Sequence, residues 1–453
     1  MKDYLLNQGY NALSDNFYDI MNDWFEWYKG KNDRFHSYSQ FNGKRKIKRE
    51  RYSLGMAKKV CEDWANILLN EKVNINISDE RISKVINKVL EKNNFRVRSN
   101  RLLEQTFALG TGAFVEYLDK GEIKIDYIRG NMIYPLSWEN GVITECAFAG
   151  EKYSGGKTYT YLNTHTFEKG QYVVRNKMFL KEKGKLTEIK LPDGIVAEFR
   201  TGSTTPLFQI ITPNIINNID PDNPMGISIF ANCIDLLKST DLIFDSYTNE
   251  FRLGKKRIIV PTGMAQIHSD SNGITPIFDD NDTEFYAIND RSLTDMREIN
   301  MELRADAHEK GLQKMLDLLS YKCGLGSIVS AGKDSSIKTA TEIKYNKSEL
   351  FQNMQKHELI LERALKDLIN SIAQLMGISG DFEVSISFDD SIIDDVDTLS
   401  VRAVKEFETG IIDEAEYLKN VYGYTENQAT DLVKMIKKRQ ENFSATLKDD
   451  SEL

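Results

Sequence analysis

Apolar residues recur with helical spacing through the first hundred residues of the chain. One such set falls at positions i, i+4, i+8, i+11 and i+12, which share one face of an α-helix: Met56, Val60, Trp64, Ile67 and Leu68. The segment Glu80–Lys92 continues in the same manner. These patterns predict amphipathic helices whose apolar faces point into a core.

Between Thr111 and Thr212 the apolar period changes to two. The segments that alternate or run apolar are Ala113–Leu118, Glu122–Ile128, Val142–Ala149, Lys157–Leu162, Tyr172–Leu180 and Leu207–Thr212. Turn signals such as Asn140-Gly141 separate them. Short strands joined by tight turns predict an antiparallel meander, so we expect a β-rich region inside a largely helical protein.

The second half of the chain predicts long helices around a compact region. After a linker, Asn217–Gly226, we expect a helix, a strand, a small α+β region, a second helix, a polar loop and a long helix, at 228–253, Lys255–Pro261, 262–294, Asp295–Lys322, Cys323–Ser336 and Ile337–Met376. The long helix contains neither glycine nor proline, and its roughly 40 residues would span about 60 Å. That length is typical of a strut or of part of a large assembly. A strand, Phe382–Phe388, and a helical tail follow.

This order of elements predicts an α+β fold that is mainly helical. The length of 453 residues favours two to four structural regions over a single core. The formal net charge of −9 argues against a protein that grips nucleic acid with its whole surface, because such binding needs Lys and Arg to displace counterions. It does not exclude a protein that surrounds DNA.

Cysteine usage and terminal composition favour an intracellular protein. The four cysteines are scattered without CxxC spacing, which predicts reduced, mostly buried thiols and neither a disulfide framework nor a zinc site. The N-terminus lacks the cationic and apolar parts of a secretory signal. No run approaches the about 18 apolar residues that a membrane span needs. We therefore expect a soluble protein without a membrane partner.

The segment GGKT at Gly155–Thr158 is the closest approach to a phosphate-binding loop. Such a loop needs G-x-x-x-x-G-K-[ST] between a strand and a helix. Here Glu151 occupies the place of the first required glycine, and the strand-like sequence TYTYL follows instead of a helix. The pattern favours a β-hairpin turn.

The sequence offers no set of residues for catalysis or for a resident metal. The five histidines are far apart and none has a metal-ligand spacing. The carboxylates between Asp389 and Asp397 lack the pattern of a calcium-binding loop and favour a solvated acidic hinge. We predict no enzyme activity and no cofactor.

A basic stretch, Gly43–Arg51 (GKRKIKRER), leaves two interpretations open. The density of Lys and Arg is typical of a patch that contacts nucleic acid or another anionic partner. The same residues also fit the exposed face at the start of a helix. The sequence favours the second interpretation.

Two segments, together with the loop and the long helix behind them, resemble the portal (head–tail connector) proteins of tailed bacteriophages, in particular of long-tailed phages of Gram-positive bacteria. The segments are MAKKVCEDWANILLNEK at Met56–Lys72 and PMGISIFANCIDLLKSTDLIFDSYTNEFRLGKKRIIVP at Pro224–Pro261. The resemblance extends from about residue 5 to about residue 440. It implies the phage portal fold, a ring-forming α+β architecture with a β-rich wing and long stem and tunnel helices.

Carried over to this chain, the family plan implies a wing, stem helices, a clip, a tunnel loop and a crown. In chain order these parts would lie at 1–227 (wing), 228–254 (stem helix), 255–294 (clip), 295–322 (stem helix), 323–336 (tunnel loop), 337–390 (long helix and returning wing strand) and 391–453 (crown).

The resemblance also implies a DNA channel. Proteins of this family form rings, in the family twelve-membered, through which double-stranded DNA enters the head and later leaves. The residues expected at the channel are Gly324, Gly326, Ser327, Ser330, Lys333, Asp334, Ser335, Ser336 and Lys338. Small residues keep a constriction adjustable, whereas a basic lining would hold phosphates and resist sliding.

Further partners implied by the resemblance are the large terminase, the major capsid and scaffolding proteins, and a head-completion adaptor. The protein would occupy one vertex of the virion capsid after assembly in the host cytoplasm. Two other interpretations stay open. The chain fits a packaging-motor ATPase subunit with a degenerate nucleotide site at Lys157, or a non-portal virion adaptor or baseplate protein.

Overall fold

A computed structural model describes the greater part of the chain. The described residues are 1–41, 43–70, 73–182, 185–255, 257–261, 267–270, 273–276, 285–288, 297–326, 340–378, 382–388, 403–422, 424 and 428–437. The chain divides into two compact units, Met1–Ser387 and Phe388–Leu453. The acidic stretch predicted at 389–397 lies outside the described residues.

The first unit contains helices that supply about half of its buried apolar residues. In chain order they are α1 (Lys2–Asn7), α2 (Asp15–Tyr28), α3 (Asp33–His36), α4 (Met56–Leu68), α5 (Glu80–Lys92), α6 (Phe95–Leu109), α7 (Ile234–Leu253), α8 (Ala305–Lys322) and α9 (Ala340–Leu375). The predicted helix at 80–92 is confirmed. Asp79 fixes its start, because the side chain of Asp79 accepts hydrogen bonds from the backbone N–H groups of Arg81 and Ile82.

The strands of the first unit form several separate sheets. In chain order the strands are β1 (Ser37–Phe41), β2 (Lys46–Glu50), β3 (Asn74–Ile77), β4 (Gly112–Asp119), β5 (Glu122–Arg129), β6 (Ile133–Glu139), β7 (Val142–Ser154), β8 (Lys157–Glu168), β9 (Gln171–Glu182), β10 (Lys185–Ile189), β11 (Glu198–Arg200), β12 (Phe208–Ile211), β13 (Arg257–Pro261), β14 (Ile267–Asp270), β15 (Gly273–Pro276), β16 (Phe285–Ile288), β17 (Arg297–Ile299) and β18 (Val384–Ser387).

The predicted antiparallel meander is confirmed, and it is one of two sheets in this region. The larger sheet has the order β10-β9-β8-β7-β6, with β11 added to β9. The smaller sheet has the order β12-β4-β5. Glycine pairs and left-handed residues close the hairpins, as at Asn140-Gly141, where both backbone φ angles are positive.

Helix α9 lies on the smaller sheet and buries a row of apolar residues along one face: Leu361, Leu365, Leu368, Ile369 and Ile372. This spacing follows the 3.6-residue period of a helix packed on one side. After α9 the chain returns as β18, which pairs with β3 near the other end of the sequence. The pairing joins residues that are about 310 positions apart, such as Ser385 and Asn76.

The structure corrects the predicted start of the helix at Asp295. Helix α8 begins at Ala305, and Arg297–Ile299 forms β17, which pairs antiparallel with β13. Strand β13 also pairs in parallel with β16. The alternating pattern REI is too short to be distinguished from a helix start by periodicity.

The basic stretch Gly43–Arg51 is also not a helix start. Lys46–Glu50 forms β2, which pairs with β1 in an antiparallel hairpin. In β2 only Ile47 is partly buried, its basic residues are exposed, and the carboxylate of Glu50 binds Lys31 at 2.6 Å. The basic stretch is therefore the turn and second strand of a two-stranded hairpin.

Most described residues of the second unit are helical. Residues 403–408 and 428–437 are helical, and a further helix, α10, spans Glu414–Tyr422. Ala403 and Ala429 are buried, and Lys437 binds Glu414 at 2.9 Å. The predicted helical tail is therefore confirmed over these residues.

Candidate functional site

The end of α8 is the point from which the predicted tunnel loop leaves. The last turn of α8 closes with two backbone hydrogen bonds, from Gly324 N–H to the carbonyl of Tyr321 (3.0 Å) and from Leu325 N–H to the carbonyl of Ser320 (3.0 Å). This is the Schellman arrangement, which requires a left-handed residue after the helix. Gly324 supplies it with a φ of +80°.

Three side chains from three helices hold the carbonyl groups of this segment. Trp64 Nε1 of α4 donates to the carbonyl of Cys323 (2.9 Å), and Asn353 Nδ2 of α9 donates to the carbonyl of Gly324 (3.2 Å). The hydroxyl of Ser320, on α8, donates to the carbonyl of Gly326. We call Cys323–Gly326 the loop anchor. Three of its four carbonyl groups accept a hydrogen bond from a side chain of the protein body before the chain enters residue 327.

The loop anchor is buried and closely packed. Cys323, Leu325 and Gly326 are buried, and Leu325 is only 2% exposed. A Cβ atom at Gly324 would lie 3.2 Å from the amide nitrogen of Asn353 and 3.3 Å from the ring of Trp64. Gly324 is therefore required both by its backbone angle and by its neighbours.

An aromatic cluster stands behind the anchor. The Trp64 ring stacks on Phe107 of α6 with centroids 5.7 Å apart and meets the edge of His357 of α9 at 4.7 Å. Burial lowers the pKa of His357 to about 3, so the imidazole is neutral at physiological pH. Its Nδ1 accepts the backbone N–H of Asn214 at 2.9 Å. The cluster joins α4, α6 and α9 directly beneath the loop anchor.

The predicted linker Asn217–Gly226 packs against the same core. The side chain of Asn217 donates to the carbonyl of Met225 (3.0 Å) and accepts the N–H groups of Ile219 and Asp220. Met225 is buried. A segment rich in proline and glycine is here a closed turn and not a spacer, because its polar backbone is satisfied internally.

The portal-like segment that starts at Pro224 approaches α6 through two glycines. A Cβ atom at Gly110 would overlap the backbone of Gly226, and a Cβ atom at Gly226 would overlap the carbonyl of Gly110. Two residues further on, Ser228 donates to the carbonyl of Phe107 (3.2 Å). The two backbones therefore touch at a distance that only glycines allow, and this contact sets the path into α7.

Helix α7 is tied to the basic hairpin by buried polar contacts. Asp241 accepts hydrogen bonds from the Leu54 N–H (2.8 Å) and the Ser53 hydroxyl (3.0 Å). His36 Nε2 lies 2.9 Å from the same carboxylate. On the other side of the ring, the backbone N–H of Asn32 donates to His36 Nδ1 (2.9 Å). The chain that leaves the hairpin is thereby fixed to α7.

Of the residues predicted at the channel, the structure describes two. Gly324 and Gly326 lie in the loop anchor, where they are packed against the body of the first unit. The others lie outside the described residues: Ser327, Ser330, Lys333, Asp334, Ser335, Ser336 and Lys338. The residues that the sequence did not single out for the loop are Trp64, Asn353 and Ser320. The close spacing of Gly324 and Gly326 after an apolar helix end was the available signal for a buried cap.

The other candidate sites have structural roles where the structure describes them. Gly155 and Gly156 form the turn between β7 and β8, both with positive φ, so the predicted hairpin turn is confirmed. Lys157 begins β8 and lies 3.7 Å from Glu182. Among the described residues there is no group of three or more His, Cys, Asp or Glu side chains arranged to hold a metal ion.

The helices described in this structure include none that is long and apolar enough to cross a lipid bilayer.

Comparison with known proteins identifies the class as a phage portal protein, the head–tail connector of a bacteriophage. The chain belongs to the family described as phage portal protein, SPP1 Gp6-like, whose model matches residues 10–442. No curated protein matches the chain.

Membership of this family has direct consequences. The family is structural and implies a ring oligomer with partners in the phage head, so the protein is a component of the virion capsid. The match also covers Met56–Lys72, Pro224–Pro261, the polar loop and the long helix, on which the resemblance to portal proteins was based.

Proposed function

We propose that this protein forms a ring of twelve subunits at one capsid vertex, and that the ring is the channel for packaging and ejection of double-stranded DNA. One observation carries the proposal beyond family membership. The chain enters residue 327 from an anchor whose carbonyl groups are held by side chains of α4, α8 and α9. Such an anchor supports a loop that must bear contact with a moving duplex.

In this proposal the parts of the chain follow the portal plan. Residues 1–227 form the wing, α7 and α8 the stem, and 255–294 the clip, to which β17 adds a strand. Residues 391–453 form the crown. The tunnel loop contacts DNA through residues 327–336 and Lys338, while Gly324 and Gly326 hold its entry. Ring closure requires a head-to-tail interface whose rotation returns to the first subunit.

The composition favours a channel in which DNA slides and disfavours one that binds DNA tightly. A net charge of −9 disfavours a lining that gathers phosphates. Repulsion acts only at short range, since the Debye length is about 8 Å at physiological salt. The proposed loop therefore contacts DNA through small residues and the isolated charges Lys333, Asp334 and Lys338.

The ring would also be the docking platform for the large terminase, the major capsid and scaffolding proteins and the head-completion adaptor. The conformation of Gly155–Thr158 gives no support to the alternative of a packaging ATPase, because a strand follows the glycines where a phosphate-binding loop needs a helix. We expect a Lys157→Ala variant and the natural protein to show the same rate of ATP hydrolysis. Turnover that depends on Lys157 would overturn the proposal.

Negative-stain electron microscopy of the purified protein tests the ring. We expect annular particles with a central hole. A monodisperse monomer under all salt conditions, or a ring without a hole, would contradict the proposal. A non-portal adaptor or baseplate protein would also form rings, so the loop needs a test of its own.

Deletion of residues 328–335 tests the loop. The deletion starts after Gly326 so that the anchor stays intact. We expect rings to form while heads fill poorly or lose their DNA. The matched control replaces Lys333 and Asp334 by serine at constant length, which separates loop length from loop charge. Heads of the deletion variant that fill and retain DNA normally would refute the assigned role.

A further inference from the structure

Two buried cysteines meet beside the loop anchor. Cys233 lies at the N-terminus of α7, and Cys323 follows the last residue of α8. Their Sγ atoms are 3.8 Å apart, although the residues are 90 positions apart in sequence. Both thiols are buried, with exposed fractions of 2% for Cys233 and 1% for Cys323. The contact joins the start of one helix to the segment that holds the predicted tunnel loop.

The two thiols are chemically unequal. The Cys323 thiol donates a hydrogen bond to Cys233 Sγ, and this bond lowers the pKa of Cys233, assisted by the nearby Lys322 ammonium. The same hydrogen bond and burial raise the pKa of Cys323. Since the thiolate is the reactive form, Cys233 is the better nucleophile of the pair and Cys323 is placed to attack it in turn.

We propose that Cys233 and Cys323 are a dithiol that oxidises to a disulfide, which clamps the loop anchor to the start of α7. The oxidant is a peroxide. The Cys233 thiolate attacks the peroxide oxygen to give a sulfenic acid and hydroxide, and the hydroxide takes up the proton that Cys233 released on ionisation to give one molecule of water. The Cys323 sulfur then attacks the sulfenic sulfur and expels a second water. Two thiols and one hydrogen peroxide thus yield one disulfide and two waters, with two electrons passing from sulfur to the peroxide.

The timing of this step rests on the proposed function as a virion component. A protein that assembles in a bacterial cytoplasm stays reduced there, whereas a released particle has no thiol pool to maintain it. The sulfur atoms need a bond of about 2 Å, which side-chain torsion must supply from the observed contact. The clamp would therefore form after the loop is in place and the particle has left its host.

The other two cysteines provide internal controls. Cys146 lies in β7, where its thiol points to the carbonyl of Tyr134 (3.5 Å), and burial raises its pKa. Cys61 of α4 is buried and its pKa is also raised. Neither has the lowered pKa of Cys233, so both are expected to remain thiols.

The test is oxidation of the purified full-length protein with hydrogen peroxide, followed by unfolding, thiol counting and peptide mass spectrometry. We expect the number of titratable thiols to fall from four to two. A peptide pair joined through Cys233 and Cys323, lighter by two hydrogens, should appear. The Cys233→Ser variant should keep three thiols. The Cys323→Ser variant should hold Cys233 as an unlinked sulfenic acid and keep two, and the Cys146→Ser control should keep one.

Four remaining thiols, a link that includes Cys61, or oxidation of Cys233 to a sulfinic acid without a link would each overturn the proposal. The clamp itself is tested by hydrogen exchange of the Gly324 and Leu325 amides. We expect exchange about tenfold slower in the oxidised protein, and equal rates would refute a clamp. These experiments need no ring, so their failure is distinct from failure of the portal proposal. Reduced cysteines in purified particles would refute the proposed timing.

Discussion

The two ends of helix α8 are held in opposite ways. At its C-terminal end the chain is fixed by burial, by the geometry of Gly324 and by the hydrogen bond from Trp64. At its N-terminal end Arg304 makes an ion pair with Glu250 of α7, with Nη2 and Oε2 2.8 Å apart. The Arg304 guanidinium lowers the pKa of Glu250 to about 2, yet it is itself largely open to solvent.

This difference indicates where the protein requires rigidity. Buried contacts keep their strength in any salt, whereas exposed ion pairs contribute little and are screened. The end that leads into the predicted tunnel loop carries the contacts that solvent does not weaken. The end that leads toward β17 carries a contact that solvent weakens readily.

The largest expected effect comes from Trp64. Replacing Trp64 by alanine removes the stack on Phe107 and the hydrogen bond to the anchor, and should lower the free energy of unfolding by about 4 kcal/mol. Chemical denaturation measures the loss. Trp138, a partly exposed residue of β6, is the matched control, and its alanine variant should lose clearly less. Equal losses in the two variants would mean that the buried Trp64 stabilises the fold no more than the partly exposed Trp138 does.

The hydrogen bond within this effect can be isolated. Trp64→Phe keeps an aromatic ring but has no N–H for the carbonyl of Cys323, and should cost about 1 kcal/mol. Hydrogen exchange at the Leu325 amide measures how readily the anchor opens. Slower exchange in Trp64→Phe than in Trp64→Ala would confirm that the ring and the hydrogen bond contribute separately. A cost as large as that of alanine would assign the whole effect to the hydrogen bond.

The second effect concerns Glu116, a buried carboxyl where α9 meets the smaller sheet. It accepts hydrogen bonds from Ser371 (2.7 Å) and Gln209 (3.2 Å), but burial dominates and raises its pKa from 4.5 to about 7. The folded state therefore holds this proton longer than the unfolded state does. Stability falls as the pH rises from about 4.5 to about 7, and the full cost of the buried charge is present above that.

Glu116→Gln removes this dependence. The variant should gain up to about 3 kcal/mol relative to the natural protein between pH 4.5 and pH 8, as measured by unfolding at each pH. The buried His165 and His357, whose pKa values burial lowers to about 3, destabilise the fold in the opposite direction as the pH falls below 6.5. They occur in both proteins, so their contribution cancels in the difference. A pH-independent difference would show that Glu116 keeps an ordinary pKa.

The third effect separates backbone strain from crowding. Gly324 and Gly377 both end helices with a positive φ, but a Cβ atom meets close neighbours only at Gly324. We expect about 2 kcal/mol of destabilisation for Gly324→Ala and about 1 kcal/mol for Gly377→Ala. Thermal unfolding of the two variants is the measurement. Identical losses would mean that backbone strain accounts for the whole effect and that the close neighbours of Gly324 contribute nothing to it.

The smallest effect is expected at Glu250. Glu250→Gln breaks the ion pair with Arg304 at the solvated end of α8. The variant should melt slightly below the natural protein at low salt, and the difference should vanish near 1 M salt because the pair is screened. A salt-independent difference would mean that this end is also held by burial.

Local patterns were enough to predict much of the fold. The helix at Glu80–Lys92 and the hairpins of the meander follow from periodicity and turn residues that lie within a few positions of one another. The pairing of β3 with β18 and the hold of Trp64 on Cys323 depend on residues that are hundreds of positions apart. Neither contact leaves a local signal in the sequence. For this reason the predicted tunnel loop, 323–336, included the buried residues of the loop anchor.

The contact between Gly110 and Gly226 restricts how this protein can change over time. Each glycine leaves room only for the other, so replacing either one alone introduces an overlap that the second cannot relieve. No sequence of single neutral steps leads to a pair with larger side chains. The two positions should consequently be inherited together, and among related chains they offer a simple marker for those that share this entry into α7.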